Sequence, residues 1–216
     1  MKIDLRFIFY EMELSSLKEF FEVIEKQLVN LREEKKSEFK ALLKGRTPEM
    51  DEGDIDIAQD EFIRFIEHTL PRFSRNPFMV SLWAVYESSI IAVAEYIRNE
   101  KGKGLGIKDI KGDDFFKRAK KYFDHVLEYP LYTDDNELER LRMLMILRHC
   151  IAHANGRIND IKDEKAVNKI KEWEKANTGV LIEDGCIMLT EDFLRTSYIL
   201  VNKSLQTLFN KVREIF

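Results

Sequence analysis

The segment 147–158, LRHCIAHANGRI, concentrates the side chains of this chain that are best suited to proton transfer and anion binding. It contains Arg148, His149 and His153, and the whole chain has four histidines. Histidine exchanges a proton near neutral pH, and the planar guanidinium group of arginine can bind two oxygens of one phosphate. On a helix His149 and His153 share a face, with Arg148 about 100° from one and about 140° from the other. By residue type alone, this grouping could serve proton transfer and anion binding.

Two simpler interpretations of these residues stay open on spacing alone. Arg148 and the two histidines fall in the last turns of a predicted helix, where cations complement the helix dipole and bond the last carbonyl groups. His149 and His153 also have a spacing that can chelate a metal ion. The segment lacks the glutamate of the zinc-protease motif, however, and Cys150 is the nearest candidate for a third ligand. We therefore predict no metal site and no cofactor.

A second group of candidate residues is a basic stretch in a protein whose net charge is −4. This stretch predicts contact with RNA phosphates, with Lys117 and Lys121 as substrate-binding residues. A solvated helix face beside a flexible loop is the alternative. Gly102, Gly104 and Gly106 follow a helix rather than a strand and precede no G-K-[S/T] sequence, which argues against a nucleotide-binding loop. The basic stretch consists of Lys101, Lys103, Lys108, Lys111, Lys117, Arg118, Lys120 and Lys121.

Glu87 is a charged residue within an otherwise apolar predicted helix. A carboxylate that is buried needs a partner, because an unpaired charge in the interior is costly. We therefore predict a supporting role in which Glu87 holds Arg148 in place. A glutamate that faces the surface is the alternative interpretation.

The composition favours a helical protein that positions these residues on helices. Of the 216 residues, 44% are hydrophobic and 34% are charged, with nine Gly and four Pro, which suits amphipathic helices around a core. Two cysteines provide no disulfide framework and indicate a reducing compartment. The N-terminal apolar run is too short for a signal peptide, and the longest uncharged run, 76–86, is far below a membrane span. We expect a soluble, cytoplasmic protein with no membrane association.

The segment 1–75 is predicted to be a helical hairpin packed on the core. The first helix is expected to end near Leu43, before a breaker at 45–48. An acidic loop at 50–56 then precedes a second, antiparallel helix that Pro71 disrupts. The first ten residues alternate weakly and fit either a strand or the start of the helix. The first helix shows the 3-4 spacing of a helix that packs lengthwise on another, at Leu14, Leu17, Phe21, Ile24, Leu28 and Leu31.

The segment 76–216 is predicted to be a helical domain with one small β-hairpin. Local stop and start signals delimit its elements. With the N-terminal hairpin the fold class is all-α, with six or seven helices. In order, we expect the most buried helix from Pro77, a glycine-rich loop at 101–112, a helix capped by Asp113 or Asp114 and ended by Pro130, the motif helix from 134–136 to Asn155–Gly156, a short helix near 165–175, a hairpin with its turn at Asp184–Gly185, and a last helix from Thr190 to Phe216.

The motif helix resembles those of the HEPN superfamily. The sequence RHCIAH at 148–153 matches the R-x4-6-H motif of that superfamily, in which a histidine is one of the residues typical after the arginine. The segment 154–158 also resembles the usual continuation of the motif. The resemblance covers 77–216, and the N-terminal hairpin has no counterpart in it. Two upstream segments resemble bacterial members, namely the loop at 106–112 and the helix with Trp83, Tyr86 and Glu87.

This resemblance implies a HEPN-like helical bundle that forms a homodimer through its motif helices. Many members are metal-independent endoribonucleases that act as toxins or phage-defence effectors, so RNA and an antitoxin protein are candidate partners. Other members are non-catalytic modules that bind nucleotide, RNA or a protein. The resemblance implies catalytic roles for Arg148, His149 and His153 and a substrate contact for Asn155. In one subgroup the residue at the position of Asn155 is a Tyr that is covalently modified. We do not expect that mode of regulation in this protein.

Chemistry gives a separate reason to expect a dimer. Cleavage of RNA without a metal needs a base for the 2′-OH, an acid for the leaving 5′ oxygen and a cation beside the phosphorane. One motif supplies one certain histidine, whereas two motifs related by a two-fold axis supply both acid and base. A symmetric dimer with a composite site follows from this count.

Overall fold

Helices make up most of this protein, as the composition predicts. The computed structural model describes residues 5–45, 52–129, 131 and 134–216, and 81% of the structure is helical. A small two-stranded antiparallel sheet precedes the last helix. The all-α class and the small hairpin are therefore confirmed. The elements are α1 (Leu5–Lys44), α2 (Glu52–Arg64), α3 (Leu70–Glu100), α4 (Phe115–Lys121), α5 (Asp135–Ala154), α6 (Glu164–Lys175), β1 (Val180–Glu183), β2 (Cys186–Leu189) and α7 (Glu191–Ile215).

Two predicted interruptions of the early helices are wrong. The loop expected at 50–56 is helical from Glu52 onward, and residues 50 and 51 lie outside the described part. Pro71 does not disrupt the second helix, because a π-helical turn, Phe65–Thr69, joins α2 directly to α3. Pro77 likewise does not begin a helix, since it lies well inside α3.

A shift in hydrogen bonding explains why Pro71 is tolerated. Proline has no N–H group and its ring crowds the carbonyl four residues earlier, which normally interrupts a helix. The N–H of Leu70 bonds to the carbonyl of Phe65, five residues back rather than four. Such a π-helical turn absorbs a disturbance in the hydrogen-bond ladder without ending the helix. Pro71 therefore follows a change in the hydrogen-bond register of the helix, and the helix does not end there.

Packing on both sides of Pro77 keeps α3 continuous there. Arg75 bonds to the carboxylate of Glu25 on α1, and the ring of Phe78 lies 4.4 Å from that of Phe21. A proline inside a helix costs about 3 kcal/mol relative to alanine. Contacts with a neighbouring helix offset such a cost, and the sequence of α3 alone does not reveal them.

The chain divides into two compact units, each discontinuous in sequence. The division into 1–75 and 76–216 stays a prediction. The first unit consists of Met1–Leu17, Met79–His149 and Arg195–Phe216, and the second unit consists of Lys18–Phe78 and Cys150–Leu194.

Within the second unit, α1 packs antiparallel to the helix that follows it. The rings of Phe39 and Phe62 stack with centroids 4.4 Å apart, and Arg32 pairs with Glu67 at 3.4 Å. A residue closer to the N-terminus of α1 thus contacts a residue closer to the C-terminus of the helix that follows. This order confirms the predicted antiparallel hairpin, whose helices are longer than the sequence indicated.

The β-hairpin of the second unit holds the segment that follows α5. Asp184 and Gly185 have φ angles of 51° and 70°, which form the tight turn expected at these positions. The N–H of Ile158 bonds to the carbonyl of Gly185 at 2.9 Å, and the N–H of Ile187 bonds to that of Gly156 at 2.8 Å. The hairpin therefore fixes the chain immediately beyond the motif.

The first unit has a core rich in aromatic side chains. The indole of Trp83 lies 5.5 Å from the ring of Phe116 and 5.9 Å from that of Phe115. Phe7 stacks on Phe209 at 4.8 Å. Edge-on and stacked pairs of this kind each add about 0.5–1.5 kcal/mol beyond the area that they bury. The pairs of Trp83 hold the middle of α3 against the start of α4, and the pair of Phe7 and Phe209 joins α1 to α7.

One stretch of the described residues, Ile55–Glu100, is long and apolar enough to cross a membrane by length and composition. Half of its apolar window is buried inside the protein, as happens for a core helix of a soluble protein. The sequence argument considered only runs without a charged residue, whereas this apolar stretch contains Glu87. A cytoplasmic location stays a prediction.

Candidate functional site

α5 carries the R-x4-H motif in its last turns. It begins after Asp134, whose Oδ1 accepts a hydrogen bond from the N–H of Asn136 at 2.9 Å, as the sequence predicted for its N-terminus. Its buried residues follow helical spacing and are Leu138, Leu141, Leu144, Leu147, Cys150 and Ile151. His149 and His153 are exposed, and each takes part in an interaction within the described chain. Both imidazoles therefore lie at the protein surface.

Arg148 is half-buried, and its Nε is in the interior without an acceptor among the described residues. A buried N–H without a partner costs roughly 1–3 kcal/mol. The guanidinium group keeps its charge at any physiological pH. A phosphate oxygen, or an acceptor from another chain, would satisfy such a group.

Asn155 and Gly156 end α5, as predicted. Their φ angles are 49° and 71°, both in the left-handed region that terminates helices. The N–H of Gly156 bonds back to the carbonyl of Cys150 at 3.3 Å. A Cβ atom at position 156 would lie 3.4 Å from Nδ2 of Asn76, so the glycine fits a close approach. Asn155 is exposed, and its contact with substrate stays a prediction.

Cys150 is buried between the motif residues in sequence. Burial raises the pKa of its thiol from the ordinary value of 9.0 to about 11, with a smaller contribution from Asp163. The thiol is therefore protonated at neutral pH, and a protonated thiol is a poor nucleophile and metal ligand. Across 5–45, 52–129, 131 and 134–216, no group of three or more His, Cys, Asp or Glu is arranged to hold a metal ion.

Glu87 has a partner other than the one predicted for it. Its Oε2 accepts a hydrogen bond from Nε1 of Trp83 at 2.9 Å, and Trp83 is 1% exposed. No hydrogen bond or ion pair between described residues joins Glu87 to Arg148. Glu87 is half-buried, so neither a fully buried nor a surface-facing carboxylate describes it. Its supporting role at Arg148 stays a prediction.

Part of the basic stretch is already neutralised by neighbouring groups. Lys117 pairs with Asp113 and Lys120 with Asp124, each at 2.7 Å. The hydrogen bond to Asp113 raises the pKa of Lys117. Lys121 is exposed and forms no ion pair with a described residue. Of the two predicted substrate-binding lysines, Lys121 is thus the more available to a phosphate.

The loop before α4 is bonded to the end of the π-helical segment Tyr122–Leu127, which directly continues α4. Lys101 donates a hydrogen bond to the carbonyl of Leu127, and Lys103 lies 3.5 Å from the carboxylate of Glu128. The hydroxyl of Tyr122 donates to the carbonyl of Leu105 at 2.7 Å. These bonds use two further cations of the basic stretch and hold the loop on its own unit.

Three of the four remaining cations of this stretch line a cavity of about 420 Å³ within the first unit. Lys108, Lys111 and Arg118 contribute positive charge, and among the described lining residues Glu87 contributes the carboxylate. The sequence analysis named these cations only as part of a stretch and assigned them no site. The alternation of isoleucine and lysine before Gly112 was the available signal. The other lining residues are Ile91, Ile107, Ile110, Gly112 and Phe115.

Comparison of the chain with protein-family models, with curated proteins and with solved structures gives no match in any of the three. The resemblance to the HEPN superfamily therefore rests on the motif and its helical setting.

Proposed function

We propose that this protein is a HEPN-like, metal-independent endoribonuclease that cleaves cellular RNA as a homodimer and acts as a toxin or phage-defence effector. Arg148, His149 and His153 are its catalytic residues. The support is the motif sequence, its position at the end of one helix and the exposure of both histidines on that helix.

The hydrogen bonding of Nε of Arg148 is the observation that carries this proposal. Arg148 keeps a buried Nε without an acceptor in the described part of the chain. A group with only a structural role is usually satisfied by its own protein. An arginine that binds the charged phosphorane of a transition state has to leave donors open until substrate arrives.

The reaction that fits these residues is attack of the ribose 2′-OH on the adjacent phosphorus. A histidine removes the 2′-OH proton, and the P–O bond to the 5′ oxygen breaks as a second imidazole, in its protonated form, gives that oxygen a proton. Arg148 stabilises the negative charge on the phosphorane. The products are a 2′,3′-cyclic phosphate and a free 5′-OH. Two copies of α5 in a dimer supply both imidazoles.

The test is incubation of the purified protein with total RNA in excess chelator. We expect cleavage by the wild type, cyclic phosphate ends, and loss of cleavage in His153→Ala. His125→Ala is the matched control, because His125 is also exposed but lies outside the motif. Cleavage that requires an added divalent ion would contradict the mechanism, as would equal activity of both variants.

A mixing experiment tests the composite site. In a heterodimer of wild-type and His153→Ala chains, each groove lacks one of the histidines that it needs. Activity should therefore fall faster than the fraction of wild-type chains. A fall in simple proportion, or a monomer in sedimentation at micromolar concentration, would mean that each chain works alone.

A non-catalytic binding module is the alternative function. The cavity with three cations favours it, since this cavity can bind an anion without any histidine. Absence of cleavage with retained binding of nucleotide, RNA or a partner protein would favour the module over the enzyme.

A further inference from the structure

We propose that the cavity on the first unit is a binding site for a nucleoside monophosphate. The site uses none of the motif residues, so the inference goes beyond the proposed ribonuclease function and does not depend on it. The volume of about 420 Å³ lies within the range of small-molecule sites, roughly 300–1,000 Å³.

The charges of the lining select a phosphate group. Three cations, Lys108, Lys111 and Arg118, face one carboxylate, Glu87. None of the three cations forms an ion pair with another described residue, unlike Lys117 and Lys120 in the same stretch. The lining therefore has an excess of two positive charges, which matches a phosphate dianion. Two ammonium groups and one planar guanidinium group supply donors for its oxygens.

Gly112 sets the position of Arg118. A Cβ atom at residue 112 would lie 2.7 Å from Cγ of Arg118 and 3.2 Å from its backbone nitrogen. The 2.7 Å distance is too short for two carbon atoms that are not bonded, and the 3.2 Å distance is tight, so a larger residue requires the start of the Arg118 side chain to shift. The glycine thus allows the loop to lie directly against α4, with the guanidinium group at the cavity.

The apolar part of the lining suits a nucleobase. Ile91 and Ile110 are half-buried, which leaves part of their surface toward the cavity that they line. Phe115 is held edge-on by Trp83, with ring centroids 5.9 Å apart. A flat ring can lie on such a surface, whereas a simple inorganic anion gains nothing from it.

Glu87 provides the acceptor that a nucleoside needs. The indole of Trp83 fixes one carboxylate oxygen, Oε2, while Oε1 accepts no hydrogen bond from a described residue. Amino and ring N–H groups of a base, and ribose hydroxyls, are donors that can bond to it. A nucleoside monophosphate combines these donors with a planar ring and a dianion.

The first experiment is calorimetric titration of the full chain with AMP, GMP, CMP and UMP. We expect at least one to bind with a Kd below about 1 mM. Inorganic phosphate and the matching nucleoside should each bind at least about tenfold more weakly, because each lacks part of the recognised chemistry. The proposal is overturned if none of the four nucleotides binds, or if inorganic phosphate binds as tightly as they do.

Variants then locate the site. Lys108→Ala, Lys111→Ala and Arg118→Ala should each weaken nucleotide binding by about tenfold or more, the effect of losing a charged hydrogen bond. Lys120→Ala is the matched control and should change binding less than about twofold, since its charge is already paired with Asp124. Gly112→Ala keeps every charge and should weaken binding as Arg118→Ala does. An equal loss in the control would show general attraction and overturn the proposal.

Two further arms separate this site from the ribonuclease function and from RNA binding. Arg148→Ala should bind the nucleotide like the wild type, and thermal unfolding of each variant checks that it is folded. A short oligouridylate is titrated in parallel. Binding of the oligonucleotide alone, lost in the cavity variants, would assign the cavity to RNA and overturn the proposal of a free mononucleotide.

Discussion

Arg75 belongs to the second unit and Arg148 to the first, and they differ in what surrounds their guanidinium groups. The side chain of Arg75 is 13% exposed, and its Nε and Nη2 bond to both carboxylate oxygens of Glu25 at 2.8 and 2.7 Å. Its Nη1 also reaches the carbonyl of Leu189 at 3.4 Å. Arg148 has a buried Nε with no acceptor in the described chain. One arginine is satisfied by its own protein, and the other has donors to offer.

This difference separates a structural role from a binding role. A buried ion pair with two hydrogen bonds holds two helices in register but has no capacity for a ligand. An arginine with an open donor weakens the folded protein slightly and can bind an anion. A change at the Arg75 ion pair should therefore mainly lower stability, whereas a change at Arg148 should mainly lower activity.

Removal of the partner of Arg75 should have the largest effect. Glu25→Ala leaves a buried cation without its anion, and we expect the free energy of unfolding to fall by about 3–5 kcal/mol. Urea denaturation followed by circular dichroism measures it. Glu139→Ala removes an exposed partner of Arg142 and should change stability little. Equal losses in the two variants would mean that Arg75 and Glu25 are not effectively buried.

Arg148→Ala should show the reverse pattern. We expect RNA cleavage to fall by about 10²–10³-fold, as for other groups that stabilise a charged transition state. The melting temperature should not fall, because the variant removes a buried donor that has no acceptor in the described chain. Arg148→Lys keeps the charge but not the planar fork, so it should recover only part of the activity. A large loss of stability with unchanged cleavage would give Arg148 a structural role instead.

Thiol labelling tests the buried side of the motif helix and should give the smallest effect of the three. Because burial raises the pKa of Cys150 to about 11, roughly one thiol in a thousand is the reactive thiolate at pH 8. The labelling rate of Cys150 should rise about tenfold per pH unit up to that pKa. Cys186 is only half-buried and should react with iodoacetamide before Cys150 does. Mass spectrometry measures the label on each cysteine. Labelling of Cys150 at pH 8 as fast as Cys186 would show that this side of α5 is open.

Several elements could be predicted because short-range chemistry specifies them. Asp114 accepts the N–H of Lys117 at the start of α4, and Thr190 accepts that of Phe193 at the start of α7. Both caps were expected from residue type alone. The helical continuity through Pro71 was missed, because a local signal predicts a break and a π-helical turn carries the helix past it.

The candidate site was predictable only in part. The motif residues, their common helix and its end at Asn155 follow from spacing and from glycine and asparagine preferences. The cavity beside Gly112 was missed, since it forms where α3, a loop and α4 meet. Lys117 and Asp113 are four positions apart, so their ion pair could have been anticipated. Sequence alone could not decide whether Glu87 bonds to Trp83 or to Arg148.

The sequence by itself determined that the chain is mostly helical, where α5 ends and which residue types its last turns carry. These properties depend on backbone dihedral preferences and periodicity, which act over a few neighbouring residues. Only the tertiary structure decided which charges are available. Glu25 lies 50 positions from Arg75 and neutralises it, whereas no described residue reaches Nε of Arg148. Availability of a charge depends on what the fold brings within about 3 Å, and a linear pattern does not contain that distance.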